Sequence, residues 1–517
     1  MNRLLRSGVM IAAFAAAETM LSGCAVGPDF HQPEAPKTNS YTAGAMPEKT
    51  VSAPVIAGDA QRFVSGQDIP DQWWTLFHSE GLDQLIRQAL QDSPTLAAAQ
   101  ATLRESQENL RAQYGSALFP SVDAGLSATR EHISGAAFGP GGKPSLFNLY
   151  NASVKVSYAL DLFGGARREL ESLRSEVDYQ RFQLEGTYLT LTANIVTTAV
   201  KEGSLRAQIN ATQDIVSSLE KQLKVVESQF ELGAVSRSDV LAQRTAVSQT
   251  RATLPPLEKN LAQTRHLLAV LIGKLPSETT LPEFELDALM LPQDLPLSLP
   301  SSLVKQRPDI RASEALLHQA SAQVGVATAN LFPQFTISGN YGVESNKSHD
   351  LFSGSAPTIW NLGASLTQPL FHGGELRAQR RAAVAAYDQA AAQYRETVLQ
   401  AFQNVADVLR ALDADARTLK AQAEAETAAR DALKLAQEQF RLGAVNYLSL
   451  LVAERQHQQA RIGLIQAQAT RYADTAALFQ ALGGGWWNRT PETGAKATAV
   501  SASPTASGDA KQPTGKF

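Results

Sequence analysis

The sequence predicts a mainly α-helical protein with a small β component of membrane-spanning length, built as two copies of one plan. Three observations predict it. QFELGAV from Gln229 returns as QFRLGAV from Gln439, 210 residues later, and a leucine follows each at the same distance (Leu241, Leu451); such a repeat reads as internal duplication. Four segments of about ten residues alternate apolar and polar side chains, the period of a strand. The stretch from Glu375 to Leu442 contains neither proline nor glycine, enough chain for a helix roughly 100 Å long.

The chain opens with Arg3 and Arg6 flanking an apolar run from Val9 to Ala17, followed by Leu21-Ser22-Gly23-Cys24. A positive start, a short apolar core and small residues before the cut make 1–23 a secretory signal. Its ending resembles the bacterial lipobox, in which the cysteine becomes the lipidated first residue. Ala25 follows where an aspartate would favour the inner membrane, so the outer membrane is the expected destination. Cys24 is the only cysteine in the chain, which leaves no disulfide, thiol nucleophile or cysteine metal site. Residues 24–71, rich in Pro, Ala, Ser and Thr, read as an extended tether.

The first repeat, 72–275, starts with a helix from Leu82 to Leu118 that stops at Leu118-Phe119-Pro120. Alternating strands follow at Val122–Thr129 and Ala152–Leu160, joined by a loop containing GPGGKP. Gly164-Gly165 opens a helix to Leu232, and its return reaches about Ile272, kinked or broken at Pro255-Pro256. A proline-rich linker, 276–308, leads to the second repeat, 309–487. There a helix ends at Leu331-Phe332-Pro333. One strand sets Phe335, Ile337, Tyr341 and Val343 on one side, and its partner aligns Trp360, Leu362, Ala364 and Leu366. Gly373-Gly374 opens the long helix to Leu442, a last helix runs to about Leu482, and 488–517 read as a disordered tail.

Within the long helix, Tyr394, Val398, Phe402, Val405, Leu409, Leu412, Ala416 and Leu419 recur in steps of four and three, a coiled-coil seam. The 20 alanines between Glu375 and Phe440 allow close approach on more than one side, which suggests helices laid side by side into a tube. Alanine is also the best helix former, so a plain coiled coil stays open on this ground alone. Because each strand pair is an up-and-down hairpin, both LGAV turns fall at one far end. Gly233 and Gly443 suit the position after a helix end, and Asp239 or Ser238 is expected to cap the first returning helix.

The alternating segments fit a soluble half-buried sheet or a membrane wall. In lipid an open sheet edge is not tolerated, so four spanning strands require several chains to share one barrel; three chains would supply twelve. Other chemistry is absent from the sequence. A net charge of −4 leaves no basic footprint for nucleic acid. The eight histidines lack metal-ligand spacing, GPGGKP lacks the phosphate-loop pattern, and no serine sits in a nucleophile elbow. Trp73-Trp74 and Trp486-Trp487 are expected in the core. No catalysis, metal or cofactor is expected beyond a lipid on Cys24.

CAVGPDFHQP, DQWWTLFHSEGLDQLIRQAL, LFPSVDAG, YALDLFGG, QRPDIRASEALL, LFPQFTISGNYG and QPLFHGGELR, in this order, resemble the outer membrane factors. These are the TolC-like channels, here of the lipoprotein branch that serves resistance-nodulation-division (RND) efflux pumps. The resemblance covers roughly Cys24 to Leu482. It implies a homotrimer with a twelve-stranded β-barrel in outer membrane lipid, continuous with an α-helical barrel crossing the periplasm. It also implies a periplasmic adaptor (membrane fusion) protein and an inner-membrane RND pump as partners, with the channel itself a passive conduit. The tip turns Leu232, Gly233, Ala234, Val235 and Leu442, Gly443, Ala444, Val445 would meet the adaptor. The best-known relative narrows its tip with an aromatic, an arginine and two aspartates; aligned on the glycine, those places hold Phe440, Val445, Ser449 and Val452. With Asp239, residues Phe440, Ser449 and Val452 form the candidate gate region, which lacks the aspartate ring. Other readings are type I protein secretion, metal-ion efflux, or a periplasmic coiled-coil scaffold lipoprotein.

Overall fold

The structure is a computed structural model that describes residues 25–134, 139, 141, 143–354 and 356–489. The signal sequence, Cys24 and the tail from 490 onward lie outside the described residues, as does part of the GPGGKP loop. In chain order the elements are β1 (Arg62–Ser65), α1 (Glu80–Asp92), α2 (Pro94–Leu118), β2 (Ser121–Ile133), β3 (Ser145–Leu160), α3 (Gly165–Glu231), α4 (Arg237–Arg251) and α5 (Leu254–Leu271). They continue with β4 (Asp294–Leu297), α6 (Pro300–Gln306), α7 (Pro308–Ala329), β5 (Gln334–Ser345), β6 (Thr358–Thr367), α8 (Glu375–Arg441) and α9 (Tyr447–Ala481).

The duplication is visible in the lengths: α3 and α8 are each 67 residues, about 100 Å at 1.5 Å per residue. Their upper halves pack against α2 and α7, and their lower halves against the returning helices, α4 and α5 in one repeat and α9 in the other. Laterally the order toward the tips is α4 or α5, α3, α9, α8. This is a layer of helices side by side, as the alanine content suggested. The seam of α8 buries Tyr394, Val398, Val405, Leu409, Leu412, Ala416 and Leu419. Phe402 stays half-buried to one side, against Tyr41 at 5.6 Å between ring centroids, and Ala401 takes the central place.

Several expectations are corrected. The helix read over Leu82–Leu118 is two, because Pro94 disfavours helical ψ at the preceding residue and Ser93 adopts ψ 120°. The break anticipated at Pro255-Pro256 falls just before them, at Ala252-Thr253, and both prolines sit in the first turn of α5, where their missing N–H costs nothing. The strands span 13, 16, 12 and 10 residues rather than a uniform ten. The segment from residue 25 to 71 is extended but not a free tether. Val26 N donates to Phe163 O (3.0 Å), Phe30 stacks on His318 at 4.2 Å, Tyr41 Oη donates to Ser298 O (2.8 Å), and β1 pairs in parallel with β4 of the linker. Its scattered aromatic residues and Met46 find partners on the helical body.

The main core lies where this strap and the linker wrap the helices. Trp73 and Trp74 are buried as expected, with Trp73 stacked on Phe479 at 5.3 Å; Trp486 and Trp487 are only half-buried. Tyr472 Oη donates to Leu289 O (2.7 Å). The fully buried Glu202 carboxylate is matched by Arg206 (2.7 Å), Arg265 (2.9 Å) and the Phe284 N–H (3.0 Å), joining α3, α5 and the linker. A buried charge persists only with such partners. Trp73→Ala is expected to destabilise the protein by about 3–5 kcal/mol, read as a lowered denaturant midpoint. A loss below about 1 kcal/mol would remove Trp73 from the core that organises this layer.

Candidate functional site

The strands form one antiparallel sheet in the order β2-β3-β5-β6. Residues directly opposed across an antiparallel pair share a face, so the register draws rows across all four strands. Two rows read Val122, Val156, Gly339, Leu362 and Ala124, Val154, Tyr341, Trp360. The alternate rows read Asp123, Lys155, Asn340, Asn361 and Ser121, Ser157, Ser338, Gly363. A soluble half-buried sheet would cover its apolar rows, yet Trp360 and Leu362 are 73% and 75% exposed. That arrangement suits a wall with lipid on one face and a polar lumen on the other. Among the described residues no helix is long and apolar enough to cross a membrane. Its edges, β2 and β6, have no further partner strand among the described residues.

At the opposite end the two LGAV turns are built alike. Gly233 and Gly443 take φ +73° and +74°. Gly233 N donates to Phe230 O (2.9 Å) and Ala234 N to Gln229 O (2.8 Å); Gly443 N donates to Phe440 O (3.0 Å) and Ala444 N to Gln439 O (2.8 Å). This paired pattern satisfies the orphan carbonyls of each long helix. It leaves Leu232 84% and Leu442 72% exposed; Ala234 and Ala444 are exposed, and Val235 and Val445 half-buried.

The returning helices are capped differently. Ser236, not Asp239 or Ser238, is the N-cap of α4. Asp239 N donates to Ser236 Oγ (3.3 Å) and Ser236 N donates to Asp239 Oδ2 (2.9 Å), a reciprocal capping box. The expectation missed by two or three residues because the helix starts at Arg237, which places Asp239 at the third position. In α9 the cap is Asn446, whose Oδ1 accepts from Ser449 N (3.0 Å) and Ser449 Oγ (2.9 Å).

Within one chain the candidate gate residues fall into two groups, Asp239 at the start of α4 and Phe440, Ser449 and Val452 around the second turn. Asp239 and Ser449 are engaged in caps, Val452 is exposed, and Phe440 packs edge-on against Tyr447 at 5.6 Å. Phe440 belongs to a small tip core of Val226, Val240, Ala246, Tyr447, Leu450 and Leu451, separate from the main core. Through it runs a polar tie that the sequence reading missed. Tyr447 Oη of α9 donates to Gln243 Oε1 of α4, and Gln243 Nε2 donates to Leu219 O of α3 (2.8 Å). Burial pushes the Tyr447 phenol up, which keeps it a donor. The tie fastens one hairpin to the other. A signal for it existed: Gln243 falls on the buried face of α4 between Val240 and Val247.

With this geometry in view, comparison with known proteins places the chain. A family model described as "Outer membrane efflux protein" matches residues 85–274 and 299–484. The chain belongs to the outer membrane efflux protein family. It is 31% identical over 485 residues to the "Probable efflux pump outer membrane protein TtgC" of Pseudomonas putida, covering 93% of this chain and 96% of that one. It is also 31% identical over 423 residues to the "Pyoverdine export outer membrane protein OpmQ" of Pseudomonas aeruginosa, covering 80% and 87%. The solved outer-membrane channel OprN matches with TM-score 0.79 at 28% identity, over 90% of this chain and 100% of that one. The open state of the MtrE channel of Neisseria gonorrhoeae matches with TM-score 0.75 at 25% identity, over 90% and 99%. As a member of this family the protein is an outer-membrane channel of the TolC-like fold, a transport protein whose helices extend into the periplasm. In that fold three chains contribute four strands each to one barrel, which pairs the free edges of β2 and β6.

Tyr447→Phe removes the tie and leaves the buried Gln243 acceptor unpaired, at a cost of about 1–3 kcal/mol. About tenfold more of the population should then have the two hairpins parted, since 1.4 kcal/mol is a factor of ten. Single-channel conductance in planar bilayers should rise or become more often open relative to wild type. Unchanged conductance and open probability would show that the tie does not hold the tip.

Proposed function

We propose that this protein is the exit duct of a tripartite efflux pump of the RND type, docked through its hairpin tips onto a periplasmic adaptor and anchored by a lipid on Cys24. One observation carries the reading. Two turns of the same shape, each presenting an exposed leucine, stand about 100 Å from a strand wall with one apolar and one polar face. A partner that meets both turns alike explains why the shape is repeated. The wall needs neighbours to close, and the long helices continue it as a duct.

The lipid reading draws support from the residues that follow Cys24 in the sequence. Ala25 lies against Gly164, and Val26 bonds to Phe163, at the junction between β3 and α3. Ala25 and Val26 thus sit at the periplasmic rim of the strand wall, within reach of the inner leaflet. No other cofactor is proposed, and no catalytic step. Relatives are named for the efflux of toluene and antibiotics and the export of pyoverdine, so small organic molecules are the proposed cargo class. Protein secretion and metal-ion efflux have no observation in their favour here, and a scaffold lipoprotein would not leave the apolar rows uncovered.

At Gly233 and Gly443 a built Cβ meets nothing within 4 Å, so a substitution acts through backbone strain alone. A β-branched residue at positive φ costs roughly 1–2 kcal/mol per turn, whereas asparagine tolerates that region. The Gly233→Val/Gly443→Val double variant should lose transport while trimers persist in the outer membrane; the corresponding Asn double variant should retain it. Normal drug resistance in the valine variant would count against adaptor docking at the tips. Cys24→Ala should abolish incorporation of labelled palmitate, and continued labelling would refute lipidation at that residue.

A further inference from the structure

Between the two hairpins, just above the tip core, lies a groove of about 820 Å³ floored by α3 and walled by α4 and α5 on one side and α9 on the other. This volume is in the range of small-molecule sites, roughly 300–1,000 Å³. The break between α4 and α5 at Ala252-Thr253 falls in its wall. Its lining is rich in amide and hydroxyl groups, among them Gln208, Thr212, Gln249, Thr250 and Gln458.

One carboxylate faces this space. Glu454 lies two turns along α9 from Tyr447, on the same buried face. It is only 8% exposed, and its Oε2 has no hydrogen-bond partner. A buried charge without a partner is costly, so the group either keeps its proton or takes a counter-ion. Burial alone pushes the Glu454 carboxyl up to about 7.

The surrounding charges do not supply that counter-ion. The other ionisable lining residue, Arg455, is exposed and contributes nothing to the shift at Glu454. On α3 and α4, Glu220 is paired with Arg251, and Glu227 with Arg244 (2.7 Å). On the α8 side His457 meets Glu426 at 3.5 Å. On α9 itself Tyr447 is a neutral phenol bonded to Gln243. Among the described residues no cluster of three or more His, Cys, Asp or Glu exists to hold a metal ion. A single carboxylate in a groove lined with amides and hydroxyls suits a monovalent cation carrying several N–H donors, which can pair with the charge and bond to neutral oxygens together.

We propose that the Glu454 groove is a binding site for an ammonium or guanidinium group, which takes the place of the carboxyl proton. The exchange balances without any other reactant: the cation pairs with the carboxylate and one proton passes to solvent. The group can arrive on a small free amine or on a lysine or arginine side chain of a protein partner. The site stands on its own geometry and is tested without reference to transport.

The test is calorimetric titration of the purified, detergent-solubilised trimer with n-butylammonium and n-butylguanidinium. n-Butanol serves as neutral control, and a blocked Gly-Lys-Gly peptide represents a presented side chain. With a carboxyl that titrates near 7, binding should be about tenfold tighter at pH 8 than at pH 6. Repeating the titration at pH 6 in buffers of different ionisation enthalpy should show close to one proton released per cation bound. Glu454→Gln, the uncharged isostere of the unliganded site, should stay trimeric and weaken binding at least tenfold, while Arg455→Gln should bind as well as wild type or better. Binding by the small probes assigns the site to free amines, and binding by the peptide alone assigns it to a partner's side chain. The proposal is overturned if wild-type trimer binds none of the cations at pH 8, if butanol binds equally, or if Glu454→Gln binds like wild type.

Discussion

The unpaired backbone of a four-stranded sheet is the constraint on which the rest depends. In hydrocarbon, each free N–H or C=O at an edge costs several kcal/mol, and β2 and β6 each present a full row of them. One chain cannot remove that cost by itself. Closing the wall with two more copies removes it, and every helix then hangs below a ring whose circumference is already set. The two 67-residue helices inherit their spacing from the strands above them, and their equal length brings both hairpin tips to one level.

Below the ring, apolar burial is divided unevenly. Most of it lies in one core under the strap and linker, with Trp73, Phe77, Tyr472 and Phe479 at its centre. The tips have a second, much smaller cluster, and helix ends with few buried contacts open at lower free energy than a core does. Motion is thereby assigned to the tips by the packing itself. The hydrogen-bonded chain from Tyr447 through Gln243 to Leu219 lies in that weaker zone, where a single polar contact is a large share of the total. Glu454 adds an unpaired carboxyl to the same junction.

What the sequence disclosed and what it withheld follow contact range. The strand alternation and the seam of α8 rest on periodicities within a few residues, the duplication and the LGAV turns on a repeated string, and all are read directly. The strap was misread as a tether because its apolar residues have no period, and their partners lie far along the chain: Tyr41 bonds to Ser298, and Gln61 Nε2 donates to Thr475 Oγ1 across 414 residues (2.9 Å). The tie at the tips joins residues 204 apart, so only the oddity of a glutamine on an apolar stripe announced it. The split of the first helix at Pro94 was written in the sequence and is a matter of local sterics. Among the candidate gate residues, Ser449, transferred by alignment on the glycine, is held by the Asn446 cap, and Asp239, from the first turn, by the Ser236 capping box, a demand that each helix start imposes whatever the channel does.

The strap has a mechanical meaning as well. It leaves the barrel rim at Val26, follows the helical body past His318 and Ser298, and ends locked at mid-height, where β1 joins β4 and the buried Arg471 holds Asp59 O and Gln61 Oε1. The strap thus ties each chain at two heights, the rim and the waist. Tension applied at the tips from the inner membrane would be shared between the strands and this guy-line, and three such lines around the trimer would resist tilting of the duct away from the membrane normal.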